Sequence, residues 1–169
     1  QPSEDVADQY ALTMPASASP GAYRVEVGLY RASDLAAALT LDGKGQVTPR
    51  LLSQRIKVPL PPVTARPRQT VSTQLEDKIA LLGYDTAQSG KEFAITLYWR
   101  ALQSMDKDYT AFVHVLSPAD GRLVDQRDRQ PLDGQYPTGI WSPGEVVTDT
   151  YRFTLPAGEY QLAAGMYDL

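Results

Sequence analysis

The feature that most constrains this chain is an internal repeat. The stretch 149–167, DTYRFTLPAGEYQLAAGMY, restates 8–30, DQYALTMPASASPGAYRVEVGLY, once Ser17–Pro20 is set aside as a four-residue insertion in the first copy. The alignment pairs Asp8 with Asp149, Tyr10 with Tyr151, Thr13 with Thr154, Pro15 with Pro156 and Ala16 with Ala157. It then pairs Gly21 with Gly158, Tyr23 with Tyr160, Gly28 with Gly165 and Tyr30 with Tyr167. Nine identities in nineteen aligned positions exceed what shared β-propensity supplies, so part of the same structural unit is encoded twice.

The repeated unit reads as strand, turn, strand. Tyr151, Phe153 and Leu155 alternate with Arg152 and Thr154, and after the turn Tyr160, Leu162, Ala164 and Met166 fall on one face. The first copy places Tyr10, Leu12, Met14, Tyr23, Val25, Val27 and Leu29 inside, with Arg24 and Glu26 outside. The Pro20-Gly21-Ala22-Tyr23 turn, echoed by Ala157-Gly158-Glu159-Tyr160, resembles the tyrosine corner of immunoglobulin-like and fibronectin III-like sandwiches, in which a Tyr hydroxyl anchors the preceding crossover.

Thirteen Pro, twelve Gly and many short alternating runs, without a long helical period, predict an all-β, antiparallel β-sandwich. At 169 residues with 43% apolar content, the chain is long enough to bury a core. A net charge of −4 argues against a nucleic-acid partner, which needs a basic stripe. No run approaches the length of a membrane span, so no membrane contact is expected from this stretch itself. With no Cys, disulfides and thiolate metal sites are excluded.

In chain order, residues 1–7 are polar and expected to fray. Ser33–Leu39 offers an N-cap serine and an Ala-rich turn that predict a short helix, Leu41–Gly45 marks a tight turn, and Leu51–Val58 reads as a closing strand. The Pro-rich stretch 59–72 is either a linker or a Pro-protected edge crossing the sandwich. A second strand series follows: Ile79–Tyr84, Glu92–Ala101, Tyr109–Leu116 and Arg122–Asp128. In Glu92–Ala101, Phe93, Ile95, Leu97 and Trp99 share one face, and Trp99 in that phase is read as a buried anchor. Tyr109–Leu116 is apolar on both faces and is expected to be covered on both sides.

Chemical signatures are sparse. His114 is the single histidine, no nucleophile elbow surrounds any Ser, and a mid-strand His between Phe112 and Leu116 reads as a hydrogen-bonded core residue. Asp106, Asp108, Asp120, Asp125, Asp128 and Asp133 are the carboxylates on which a glycan-acting enzyme would draw, chiefly those of 120–133, although Asp at strand ends usually serves its own backbone. Asp125, Asp128 and Asp133 are weak candidates for a calcium site, lacking the EF-hand pattern. Tyr136 and Trp141, in the long connection 129–145, are the candidate sugar-stacking residues, although a Trp beside Pro143 is more often packed down as a lid on the sandwich end; no cofactor is implied.

At Leu81–Tyr84 (LLGY), Leu97–Ala101 (LYWRA), Lys107–Val115 (KDYTAFVHV), Tyr136-Pro137-Thr138, Trp141–Glu145 (WSPGE) and Gly165–Asp168 (GMYD), the chain resembles a repeated β domain. That domain is associated with exported parts of polytopic membrane glycosyltransferases of the dolichyl-phosphate-mannose mannosyltransferase type from Chloroflexi-like bacteria. A weaker likeness is to the polysaccharide-binding sandwich of O-antigen ABC transporters. The resemblance implies an extracytoplasmic, non-catalytic binding or spacer module of a larger membrane-anchored protein, with a polysaccharide or glycan as ligand and no functional residues to carry over.

Three segments follow: 1–58 as the end part of a first repeat, 59–72 as linker, and 73–169 as a second repeat that stops before its last strand. Because a lone hairpin is marginal in water, 1–58 and 73–169 are expected to form one composite sandwich. Leu51, Leu52 and Ile56 would then share a core with Phe93, Ile95, Leu97, Trp99, Val113, Phe153, Leu155, Tyr160, Leu162 and Met166. Exchange between two chains, giving a domain-swapped dimer, is the alternative.

Overall fold

The computed structural model describes residues 7–41, 44–48 and 50–168. The expected frayed segment, save Ala7, and Asp42-Gly43 of the expected tight turn lie outside the described residues. The chain is an all-β, antiparallel sandwich with a small, separate set of hairpin strands before it.

The N-terminal set comprises β1 (Gly21–Tyr23), β2 (Glu26–Val27), β3 (Leu29–Tyr30), β4 (Ala37–Ala38), β5 (Thr40–Leu41), β6 (Val47–Thr48), β7 (Leu51–Leu52) and β8 (Ile56–Val58). β1 pairs with β8, β2 with β7, β3 with β4 and β5 with β6, all antiparallel. The short helix expected over Ser33–Leu39 is not formed: a turn caps there on the Asp34 carboxylate, which accepts the Ala36 amide at 3.1 Å, and Ala37–Ala38 runs extended. The segment is too short to repay helix nucleation. The expected closing strand is split into β7 and β8 at Ser53, whose amide donates to the Val25 carbonyl while its hydroxyl accepts the Val25 amide.

The sandwich follows, with β9 (Gln69–Leu75), β10 (Ile79–Ser89), β11 (Glu92–Ala101), β12 (Thr110–Leu116), β13 (Leu123–Arg129), β14 (Val146–Thr154) and β15 (Gln161–Tyr167). One sheet orders four strands β14-β11-β10-β9, the other three strands β13-β12-β15. The alternation read in β11 sets the core: Ile95, Leu97 and Trp99 are all but fully buried, and Val113 and Val115 face them from the second sheet. Val147, Tyr151 and Phe153 of β14 complete the layer. Each such side chain contributes roughly 1.5–3 kcal/mol through burial. On the solvent side of the same sheet, Thr96 and Thr150 share a cross-strand hydrogen bond at 2.8 Å.

Four core expectations are corrected. Leu51, Leu52 and Ile56 are exposed, and the core is drawn from 79–166 with Leu60 and Leu75 packed on it, so the sandwich is not composite in the expected way. Leu162 is 37% exposed and lines the open end of the sheet pair instead of lying in the core. Phe93, Tyr160 and Met166 pack against the core while keeping part of their surface in water. The expected linker 59–72 is shorter, since β9 starts at Gln69 and pairs with β10, while Leu60 lies on the core as a crossing segment would.

β12 is the central strand of its sheet, yet only its inner face is fully covered: Phe112 and His114 lie on the outer face beside Tyr167. Instead of a core residue, His114 is a half-buried surface side chain bonded to Asp128 at 3.0 Å.

Candidate functional site

Both copies of the repeat form the tyrosine corner. The Tyr160 hydroxyl donates to the Pro156 carbonyl at 3.1 Å, and the Tyr23 hydroxyl to the Ser19 carbonyl at 2.8 Å. In the second copy this bond fixes the β14–β15 crossover and stands the Tyr160 ring at the end of the sandwich that also carries the β10–β11 turn.

A cleft of about 440 Å³ opens there between the sheets. Its aromatic walls are Tyr84 of β10, Phe93 of β11 and Tyr160; Leu155 forms the apolar floor. Gln69, Thr86, Gln88 and Lys91 line the rim. The side chains of Gln69, Thr86 and Lys91 make no hydrogen bond with other described residues, so their donors and acceptors face solvent at the mouth. A half-open site with aromatic faces and uncommitted amide, hydroxyl and ammonium groups suits a polar ligand that also has an apolar face.

The sequence candidates lie elsewhere. Tyr136 is completely buried and Trp141 is 3% exposed, so neither ring offers a face to a sugar. The connection 130–145 folds over the opposite end of the sandwich through a turn at Pro131–Gly134, with Leu132 and Asp133 at positive φ, and a short 3-10 turn at Thr138–Ile140. The Trp141 indole N–H donates to the Tyr136 carbonyl at 3.0 Å, pinning both rings inward. Tyr136 in turn donates from its hydroxyl to Glu145 at 2.5 Å, and burial, reinforced by that carboxylate, pushes its ionisation far above the ordinary tyrosine range.

The carboxylates of 120–133 are separately engaged. Asp120 accepts the Arg122 amide at 3.2 Å, Asp125 pairs with Arg127 at 2.7 Å, and Asp133 with Arg129 at 3.0 Å. Asp128 accepts from the Tyr167 hydroxyl at 3.2 Å and contacts His114. Asp125, Asp128 and Asp133 do not converge, and among the described residues no group of three or more acidic or His side chains is placed to hold a metal ion.

One buried constellation escaped the sequence reading. Arg129 of β13 grips Asp149 of β14 with two hydrogen bonds, at 2.9 and 2.8 Å, and also donates to the Thr150 carbonyl at 3.1 Å. The Leu132 amide adds a bond to the same carboxylate, and the guanidinium lies 4.2 Å from the Tyr151 ring centroid. This pair ties the two sheets together. The signal for it was the phase: Asp149 sits on the inward face between Val147 and Tyr151, where a lone Asp needs a buried cation. The cleft had a fainter signal, Phe93 and Tyr84 flanking a turn rich in Gln, Ser and Lys.

The N-terminal hairpin docks on the 130–145 connection, at the end away from the cleft. Arg55 grips Asp108 at 2.8 and 2.5 Å, Lys57 reaches Glu145 at 2.5 Å and Ser142 at 2.9 Å, and the Ala22 amide donates to the Gln135 carbonyl at 3.0 Å. The Arg55 guanidinium, aided by the Gly139 amide, holds Asp108 below the usual carboxylate range. Burial alone would raise Glu145, but Lys57, the Ser142 amide and the Tyr136 hydroxyl outweigh it and hold that carboxyl low as well.

The class these features define is a two-layer antiparallel β-sandwich with an aromatic-walled cleft at one end. No family model matches the chain, and no curated protein or solved structure matches it either.

Proposed function

We propose that this chain is a non-catalytic, immunoglobulin-like binding module of a cell-envelope protein, exposed outside the cytoplasm as part of a larger membrane-anchored polypeptide, with a glycan as ligand. The observation that carries the reading is the cleft walled by Tyr84, Phe93 and Tyr160 and rimmed by Gln69, Thr86, Gln88 and Lys91. A pyranose ring presents C–H groups to an aromatic face and hydroxyls to amides at its edge, which is the division of surface this cleft offers. Four strands facing three, and a tyrosine corner in each repeat copy, support the immunoglobulin-like type.

The test is a glycan array followed by titration of any hit. Binding is expected to fall at least about tenfold, one 1.4 kcal/mol step, on Tyr84→Ala or Gln88→Ala. Asp125→Asn and Trp141→Phe should leave it unchanged. Binding that ignores the cleft substitutions contradicts the assignment of the site, and an array without hits leaves a spacer role.

A further inference from the structure

Residues 8–30 and 149–167 carry closely related sequences in opposite environments. Tyr151, Phe153 and Leu155 are 1%, 1% and 8% exposed, whereas their counterparts Tyr10, Leu12 and Met14 are 80%, 73% and 41% exposed. Along the following strand, Ala164 and Met166 pack against the core while Val27 and Leu29 stand in solvent. The backbone follows suit. Val146–Thr154 is a strand hydrogen-bonded to β11, but 8–14, with the same alternation, forms no strand: residues 12–14 share a cleft with 23–26 and Ile56, yet no described strand pairs with them in a ladder.

The electrostatics differ in the same way. Asp149 is buried in the grip of Arg129; Asp8 accepts from the Tyr10 hydroxyl at 2.6 Å and, among the described residues, meets no cation. What the two copies share is purely local, the tyrosine corner. What the first copy lacks is each long-range contact that β9–β13 supply to the second.

We propose that residues 8–30 are closing strands, and that their exposed apolar face is the docking surface for the first five strands of a further repeat unit of the kind built by Gln69–Arg129. The occupant is specified by what its counterpart does here: an apolar strand placed against 8–14 as β11 is against β14, and an arginine delivered to Asp8 as Arg129 is to Asp149. A second copy of this chain does not qualify, since its own β9–β13 are already filled by β14 and β15. An exposed apolar face of this extent is the mark of an interaction surface.

The test joins a duplicate of residues 69–148 directly to Asp8 of the chain, reproducing the Thr148–Asp149 junction, and follows amide hydrogen exchange over 8–30. Exchange at 10–14 should slow by about a hundred-fold or more relative to the unextended chain, as for amides entering a cooperative unit. Asp8→Ala in the extended chain should abolish that gain. The unextended chain gives an independent reading if the extension fails to fold: Leu12→Ser and Leu29→Ser should leave its melting temperature unchanged. Three results would overturn the proposal: unaltered exchange in a folded extended chain, a lowered melting temperature in the unextended variants, or protection of 8–30 that rises with concentration of the unextended chain, which would make a second copy the occupant.

Discussion

At the scale of single residues, the sandwich depends on a charge pair more than its apolar composition suggests. Asp149 is almost fully buried and Arg129 reaches it from the other sheet, so Arg129→Met leaves a carboxylate without compensation in the interior. Breaking such a pair from one side costs about 3–5 kcal/mol, while replacing both partners with apolar groups is often near neutral. Thermal melts should therefore show Arg129→Met far less stable than the double variant Arg129→Met with Asp149→Leu. Equal losses would show the pair to be peripheral. Gly83 is the second dependence. It sits at the β-bulge between Leu81 and Gly83, with φ of +154°, and a Cβ there would lie 2.1 Å from the Gln69 carbonyl oxygen and 2.7 Å from Pro67. Gly83→Ala is expected to destabilise by about 1–3 kcal/mol or more through overpacking. Gly158→Ala, whose Cβ would meet only Tyr160 at 3.5 Å, should cost much less in the same melt.

At the scale of elements, the β1–β8 hairpin is held to the sandwich by Arg55–Asp108 and Lys57–Glu145. Both carboxyls are depressed in the folded state, so their stabilising contribution is present above their unfolded values and is lost as pH falls through the folded ones. Acidification below the ordinary carboxylate range should release the hairpin, raising hydrogen exchange over 21–23 and 55–60 before the β11–β14 amides respond. Simultaneous loss of protection in both would contradict a separately docked hairpin. These elements also show what a sequence can and cannot disclose. The period of two in β11 identified its inward face and Trp99 as core, because alternation depends only on neighbouring residues. The same alternation over 8–14 produced no strand, since a strand needs a partner that local pattern cannot supply. Tyr136 and Trp141 read as loop aromatics; Pro143 beside Trp141 points to a ring packed down as a lid on the sandwich end, which is where Trp141 lies, but no such local signal marks Tyr136. The cleft joins Tyr84 and Phe93 to Tyr160 through tertiary pairing alone.

At the scale of the whole molecule, the sandwich of β9–β15 holds its own core, the N-terminal strands add a polar docking contact, and Leu60 of the crossing packs at its edge. The measurement that bears most directly on this claim is cleavage of the Pro-rich crossing between Leu60 and Gln69, followed by separation of the two pieces. The larger piece, from about 69 onward, is predicted to remain monomeric, to unfold cooperatively, and to keep slow exchange in β11, β12 and β14. Loss of cooperative unfolding once the N-terminal piece is removed would contradict a self-sufficient sandwich and restore a core shared between the two halves.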